Sequence, residues 1–223
     1  MPNHPRYLEV NFSESNKPTT EYPVVFARYL ATRIGGSQGL LLDIGAGRGD
    51  MARSFQSLGF DVEIADINPE SGAMSGTELP FHVIGPDGRL ETPSSRFDVV
   101  LFKSVIEHLH DPYPLLNEIR RVLRPEGVLI CLTPDWKSNM DVFYDAVGHV
   151  QPYTARSLRL TLEIANLHVL TVEPLRQVPW TWTPVGRILS SVLSPIFRFI
   201  PRRVRRPSLR FLREETLLAI AVK

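Results

Sequence analysis

Short continuous apolar runs alternate with stretches of helical spacing over most of this chain. Leu40-Leu41-Leu42-Asp43-Ile44 is the first such run, and it ends in glycines, which predicts a buried strand. Val62–Ile67, Phe81–Ile84, Phe97–Phe102, Val128–Leu132, Val169–Glu173 and Leu217–Val222 predict further strands. Between them, apolar spacing predicts helices over Met51–Leu58, Leu115–Leu123 and Ser157–Leu167, with Gly59 and Pro125 as stops. Another helix is predicted over Thr19–Ile34, where Val24, Ala27, Leu30 and Ile34 share a face and Gly35-Gly36 ends it. Continuously apolar strands alternating with helices imply an α/β fold: a parallel sheet with helices on both faces.

Two regions stand outside this alternation. Residues 1–39 are a polar, proline-dotted arm followed by the first helix. Residues 174–213 carry six prolines and nine arginines. That is too long for a turn, so an inserted helical or looped element is expected. Residues 214–223 then return as the final strand of the same domain, whose core is 40–173.

Composition adds limits. A chain of 223 residues is long enough to bury a core without staples. The lone Cys131 excludes a disulfide framework and any CxxC-type zinc site, and points to a reducing, cytoplasmic setting. No apolar run near the N-terminus has the character of an export signal, and none approaches the length of a bilayer span. The net charge of +1 is a cancellation: residues 1–173 hold 15 basic and 22 acidic side chains, residues 174–223 hold 10 and 2. An acidic body carries a basic late segment.

The strongest chemical signal is Asp43-Ile44-Gly45-Ala46-Gly47-Arg48-Gly49-Asp50, a strand running through a glycine-rich turn into a helix. Glycines permit a tight turn and close ligand approach, and the helix start offers free N–H groups. A nucleotide-like ligand is expected above this strand end. A dinucleotide fingerprint needs its third glycine at position 50, which is Asp50 here; the glycine comes one residue early, at Gly49. The acidic Asp43, two residues before the first glycine, suits a cationic amino-acid end better than a pyrophosphate. Asp66, at the end of the second strand, can accept from ribose hydroxyls. Asp87, in Gly85-Pro86-Asp87-Gly88, fits an adenine amino group and fits ordinary turn chemistry equally.

The ordered set of that turn, Asp66, Phe97-Asp98-Val99-Val100, Val105-Ile106-Glu107-His108-Leu109 and Val122-Leu123-Arg124-Pro125-Glu126-Gly127 resembles class I S-adenosylmethionine-dependent methyltransferases. The resemblance runs from Leu40 to Glu173, with Leu217–Lys223 matching the family's last strand. It implies a Rossmann-like seven-stranded sheet whose last strand is antiparallel. It also implies S-adenosylmethionine as cofactor: Asp43, Gly45, Ala46, Gly47 and Gly49 at the methionine portion, Asp66 and Ile67 at the ribose, Asp87 at the adenine end. Lys103, just past the fourth strand, joins this set. The stretch Asn68–Pro80 is short and glycine-dotted, which implies a reduced adenosine-side wall.

Past the fourth strand lies Lys103-Ser104-Val105-Ile106-Glu107-His108. Methyl transfer to a hydroxyl gains from a base near neutrality, and His108 is the first candidate, although it can equally shape the cofactor pocket. Ubiquinone-pathway and small-RNA 3′-end methyltransferases hold a divalent cation with a Glu-x-x-Glu-His pattern. Here the first glutamate is Ser104, which argues against a metal at Glu107, His108 and His149. His149 falls where those families, and methyltransferases of polysaccharide and lipid-linked sugar pathways, place a histidine near the acceptor; packing of its loop is the alternative. The catalytic candidates are therefore His108, His149 and Glu107. Trp136, Tyr144 and Tyr153 either line an acceptor pocket or edge the core.

The basic segment suits an anionic membrane surface, through residues 185–213, or a phosphate-bearing acceptor. A homodimer contact is a further reading. No aromatic-basic module points to nucleic acid. The expected activity is methylation, at oxygen, of a small-molecule, sugar or lipid-linked acceptor. Nitrogen or carbon methylation of a natural-product or quinone-like acceptor, and a fold that kept only binding, are the other readings.

Overall fold

The computed structural model describes residues 18–36, 38–74, 79–197, 199–201 and 207–223. The N-terminal arm over 1–17, and Arg198, Arg202, Arg203, Arg205 and Arg206 of the basic segment, lie outside the described residues.

Seven strands form one sheet: β1 (Leu40–Ile44), β2 (Asp61–Asp66), β3 (Phe81–Val83), β4 (Phe97–Lys103), β5 (Leu123–Pro134), β6 (His168–Arg176) and β7 (Glu215–Val222). Their order is β3-β2-β1-β4-β5-β7-β6. The pairs among β1–β5 are parallel, and β7 runs antiparallel to both neighbours, β5 and β6. The order turns back between β1 and β4. Ligands of open α/β sheets bind above such a switch point, at the carboxyl ends of the strands.

Period-two alternation divides the core into two layers. Leu42, Ile44, Val100, Phe102 and Cys131 face one side. There they meet helices α4 (Tyr113–Val122) and α6 (Ala155–Ile164) through Leu116, Ile119, Leu158 and Leu162. Leu41, Ile64, Leu101, Ile130 and Leu132 face the other. They meet α1 (Tyr22–Arg33) and α2 (Asp50–Ser57) through Phe26, Leu30 and Phe55. Between β2 and β3 lies the short α3 (Glu70–Met74). Past β5, α5 (Trp136–Asn139) starts on an Asp135 cap, whose carboxylate accepts from the Lys137 N–H.

Two expectations change. β6 does not stop at Glu173 but runs through Pro174 to Arg176. Proline lacks the donor that a central strand needs, but β6 is the sheet's edge, where the loss is tolerated. The insertion therefore begins about three residues late. It comprises a single turn at Pro179–Trp182, α7 (Pro184–Phe197) and α8 (Pro207–Arg213). β5 is also longer than the apolar run Val128–Leu132, because Leu123 and its neighbours pair with the start of β4 across a register shift.

Candidate active site

The turn after β1 needs its glycines. Gly45, Gly47 and Gly49 have φ of 74°, 54° and 76°, a backbone that other residues rarely adopt. A Cβ on Gly45 would also stand 2.2 Å from Val105 Cγ2. The turn is then tied to β2: Gly45 N–H donates to the Ala65 carbonyl at 2.7 Å, and Gly47 N–H to Asp66 Oδ2 at 3.0 Å. The other Asp66 oxygen accepts from Asn68 N–H at 2.9 Å. Each carboxylate oxygen keeps a lone pair for a ligand. Asp50 opens α2 and pairs with Arg48 and Arg53, so an acid occupies the position where a dinucleotide fingerprint has glycine.

Above this edge lies a cavity of about 380 Å³. It brings together Gly45, Gly47, Asp66, Ile67, Asp87 and His108, all expected at the site. Asp87 lines the cavity, and its Oδ1 also accepts from Arg89 N–H at 3.1 Å within the turn. Asn68, Leu109, Pro114 and Leu115 are wall residues that the sequence did not mark. Asn68 stands on the wall next to Asp66 and Ile67. Leu115 and Pro114 read as helix start, and nothing local signals that they face a ligand.

Asp43, Ala46, Gly49, Lys103, Glu107 and His149 do not line this cavity. Ala46 packs on the core, and Gly49 caps α2. Asp43 is buried beneath the turn. Burial pushes its carboxyl up to about 7; Lys103 opposes the shift and Asp66 adds to it. Burial pulls the Lys103 ammonium below its ordinary value, against the pull of Glu107, Asp43 and Asp50.

A second group of side chains sits beside the cavity. Ser104, with φ of 56°, leads into the single turn Ile106–His108. Glu107 is fully buried. Its main-chain carbonyl accepts from Val150 and Gln151 N–H at 2.9 and 3.0 Å, which clamps the His149 loop against this turn. Its Oε2 accepts from Thr133 Oγ1 at 3.0 Å, while Oε1 has no partner among the described residues. Burial pushes this carboxyl up to about 7, against its own N–H, Thr133 and Lys103. His108 and His149 both have a buried, unpartnered Nδ1. Burial lowers both imidazoles, and His108 lowers His149 further. One ligand atom from each of Glu107, His108 and His149 lies within 4.8 Å of the other two.

The aromatic candidates separate. Phe143 packs on His149 with ring centroids 4.5 Å apart, and Trp136 packs edge-on against Phe143 at 5.7 Å. Tyr153 is core, and Tyr144 is exposed. Thr154 forms a capping box with Ser157 at the start of α6.

The fold and the site define a methyltransferase. The family model for the methyltransferase domain matches residues 21–172, and the chain belongs to that family. Over 104 residues it is 36% identical to the ubiquinone biosynthesis O-methyltransferase of Cereibacter sphaeroides, a match covering 43% of this chain and 42% of that one. Matches to such relatives span about two fifths to a half of their length. Its architecture is that of a SAM-dependent methyltransferase from Archaeoglobus fulgidus, with TM-score 0.68 at 18% identity over 96% of this chain and 99% of that one. It is shared with the 1,6-didemethyltoxoflavin-N1-methyltransferase of Burkholderia thailandensis, whose structure holds S-adenosylhomocysteine (TM-score 0.63, 20% identity, 97% and 85% covered).

Proposed function

We propose that this chain transfers a methyl group from S-adenosylmethionine to a hydroxyl of a small-molecule, sugar or lipid-linked acceptor. The observation that carries the reading is the cavity framed by Gly45, Gly47, Asp66 and Asp87 with His108 on its wall. Its polar groups suit the cofactor: carboxylates that can accept from ribose hydroxyls and an adenine amino group, and a turn with no room for a side chain at Gly45. When bound, S-adenosylmethionine supplies an electrophilic methyl on a sulfonium. Ile67, Leu109 and Leu115 give the cavity an apolar wall against which the reacting ends can be held in line, a large source of acceleration for a displacement of this kind. Asp43, beneath the turn, supplies negative charge toward the amino-acid end, with Lys103 balancing it.

The His108 imidazole, kept neutral by burial, accepts the acceptor's hydroxyl proton. Glu107 and His149 flank it, and the Glu107 carboxylate stabilises the imidazolium that forms. Similarity to ubiquinone biosynthesis O-methyltransferases supports oxygen as the acceptor atom and a quinone-like acceptor among the candidates. A lipid-linked acceptor requires the enzyme to reach a membrane surface, and residues 185–213 carry that contact in this reading.

A second reading is favoured by the unpartnered atoms of Glu107, His108 and His149. Their chemistry, one carboxylate and two imidazoles, fits a divalent cation with open positions. A cation there would lower the pKa of an acceptor hydroxyl. Ser104 in place of a fourth ligand weighs against it.

The test is transfer of labelled methyl to phenols, catechols and lipid-linked sugars. The reading expects label in at least one hydroxyl class, lost in His108→Ala. Label on nitrogen or carbon alone would overturn the oxygen assignment.

A further inference from the structure

We propose that the outer face of α7 docks this protein on the surface of an anionic lipid bilayer. The side of α7 that meets the protein is narrow and made largely of small residues: Gly186, Ser190 and Phe197 are its buried positions. A Cβ on Gly186 would lie 1.9 Å from the Trp180 carbonyl oxygen, so glycine is what lets the helix settle on the preceding turn. Its seat is fixed by directed bonds. Arg187 Nη2 donates to Tyr29 Oη at 3.0 Å, and Arg176 Nη2 to Ser194 Oγ at 2.9 Å. Trp182, stacked on Tyr29 at 4.6 Å, donates through Nε1 to the Arg176 carbonyl at 2.7 Å.

The opposite side is apolar. Val185, Ile188, Leu189, Val192 and Ile196, followed by Phe199, are between 48% and 87% exposed. Their spacing at three and four residues makes one stripe. An ordinary surface helix turns such a stripe inward. Here the small seam faces the protein and the large aliphatic side chains face out, and a contiguous patch of this kind marks an interaction site.

The surrounding charge selects the occupant. Residues 174–213 contain nine arginines and no aspartate or glutamate. Arg187, about half exposed, stands on α7 itself with one nitrogen on Tyr29, and Arg210, half exposed and paired with Glu214, stands with Arg213 on α8. Anionic lipid complements both features: aliphatic side chains enter the acyl boundary while guanidinium groups meet the headgroup phosphates. A second copy of the chain is the poorer match. A two-fold contact would set this arginine-rich segment against itself, and the nearest acids, Glu214 and Glu215, are already paired with Arg210 and Arg176. Spanning is ruled out by length, since 14 residues rise roughly 21 Å against the roughly 30 Å of a hydrocarbon core. Among the described residues, no helix is long and apolar enough to cross a membrane. The helix therefore lies in the interface plane.

The test is sedimentation of the full chain with vesicles of phosphatidylcholine, with and without phosphatidylglycerol, at low and high salt. The expected result is binding to phosphatidylglycerol vesicles, at least tenfold weaker on pure phosphatidylcholine and weakened by salt. Ile188→Glu with Val192→Glu is expected to lower partitioning at least tenfold, with circular dichroism and S-adenosylhomocysteine affinity unchanged. Val192→Ser, a milder change, is expected to lower it severalfold. Wild type that ignores phosphatidylglycerol vesicles would overturn the proposal. So would a concentration-dependent dimer that the Glu variants dissociate while vesicle binding stays the same. Vesicle binding needs neither cofactor nor acceptor, so its failure leaves methyl transfer standing, and failed methyl transfer leaves the docking intact.

Discussion

The imidazole rings of His108 and His149 lie 4.8 Å apart, centroid to centroid, at 68° to each other. Burial holds both below the ordinary histidine value, and proximity to His108 adds to the effect on His149. In His108→Ala, the His149 imidazole is expected to titrate at higher pH than in wild type, as read by NMR of the ring carbons. The same variant is expected to lose about 10²–10⁴-fold in turnover, the range for removal of a general base. S-adenosylhomocysteine affinity is expected to stay within about threefold. Full turnover in both His108→Ala and His149→Ala would remove the base from the account.

Glu107 separates the two readings of this cluster. Proton transfer to His108 requires no metal, so dialysis against a chelator is expected to leave turnover unchanged. Loss of turnover that magnesium restores would move the cluster to the cation reading. In either case Glu107→Gln keeps the Thr133 bond and is expected to reduce turnover more than tenfold, since the charge that steadies an imidazolium is gone.

Asp43 links stability to pH. Its carboxyl is pushed from 3.8 up to about 7 in the folded protein. Between those values the folded state holds more protons than the unfolded one, so stability falls as pH rises through the window. Glu107, also pushed up to about 7, contributes with the same sign. Asp43→Asn cannot ionise. It is expected to melt above wild type at pH 8, by about 2–4 °C for each kcal/mol gained, and to flatten the slope between pH 5 and pH 8. It is also expected to bind S-adenosylhomocysteine at least tenfold more weakly. Scanning calorimetry at pH 5, 6.5 and 8 reads the first effect, and titration calorimetry the second.

Gly45 has no room for a side chain. Gly45→Ala would force a left-handed non-glycine residue and a clash with Val105, each costing about 1–2 kcal/mol or more. A lower melting temperature is expected, together with cofactor affinity reduced beyond detection. Gly36→Ala, where a Cβ meets nothing within 4 Å, is the control and is expected to behave as wild type.

Much of this was readable from residues. Buried parallel strands are continuously apolar, so β1, β4 and the centre of β5 stand out. The glycine spacing with Asp50 distinguishes this turn from a dinucleotide one on sequence alone. Other features depend on tertiary contacts. Pro174 looks like a strand stop and is not one, because β6 is an edge. His149 reaches His108 only because the Glu107 carbonyl binds the backbone of Val150 and Gln151, a contact 43 residues apart in sequence for the first pair. Leu109, Pro114 and Leu115 carry no local mark of a ligand wall. The apolar stripe of α7 is plain in the sequence, but its direction is not; only the seat of Gly186 and Ser190 shows that it faces outward.

The most direct measurement of the central claim is titration calorimetry with S-adenosylhomocysteine. One molecule is expected to bind per chain, with affinity falling at least tenfold in Asp66→Ala, whose carboxylate both braces Gly47 and faces the cavity. Folded wild type that takes up no S-adenosylhomocysteine, or an Asp66→Ala variant that binds it as well as wild type, would contradict the account.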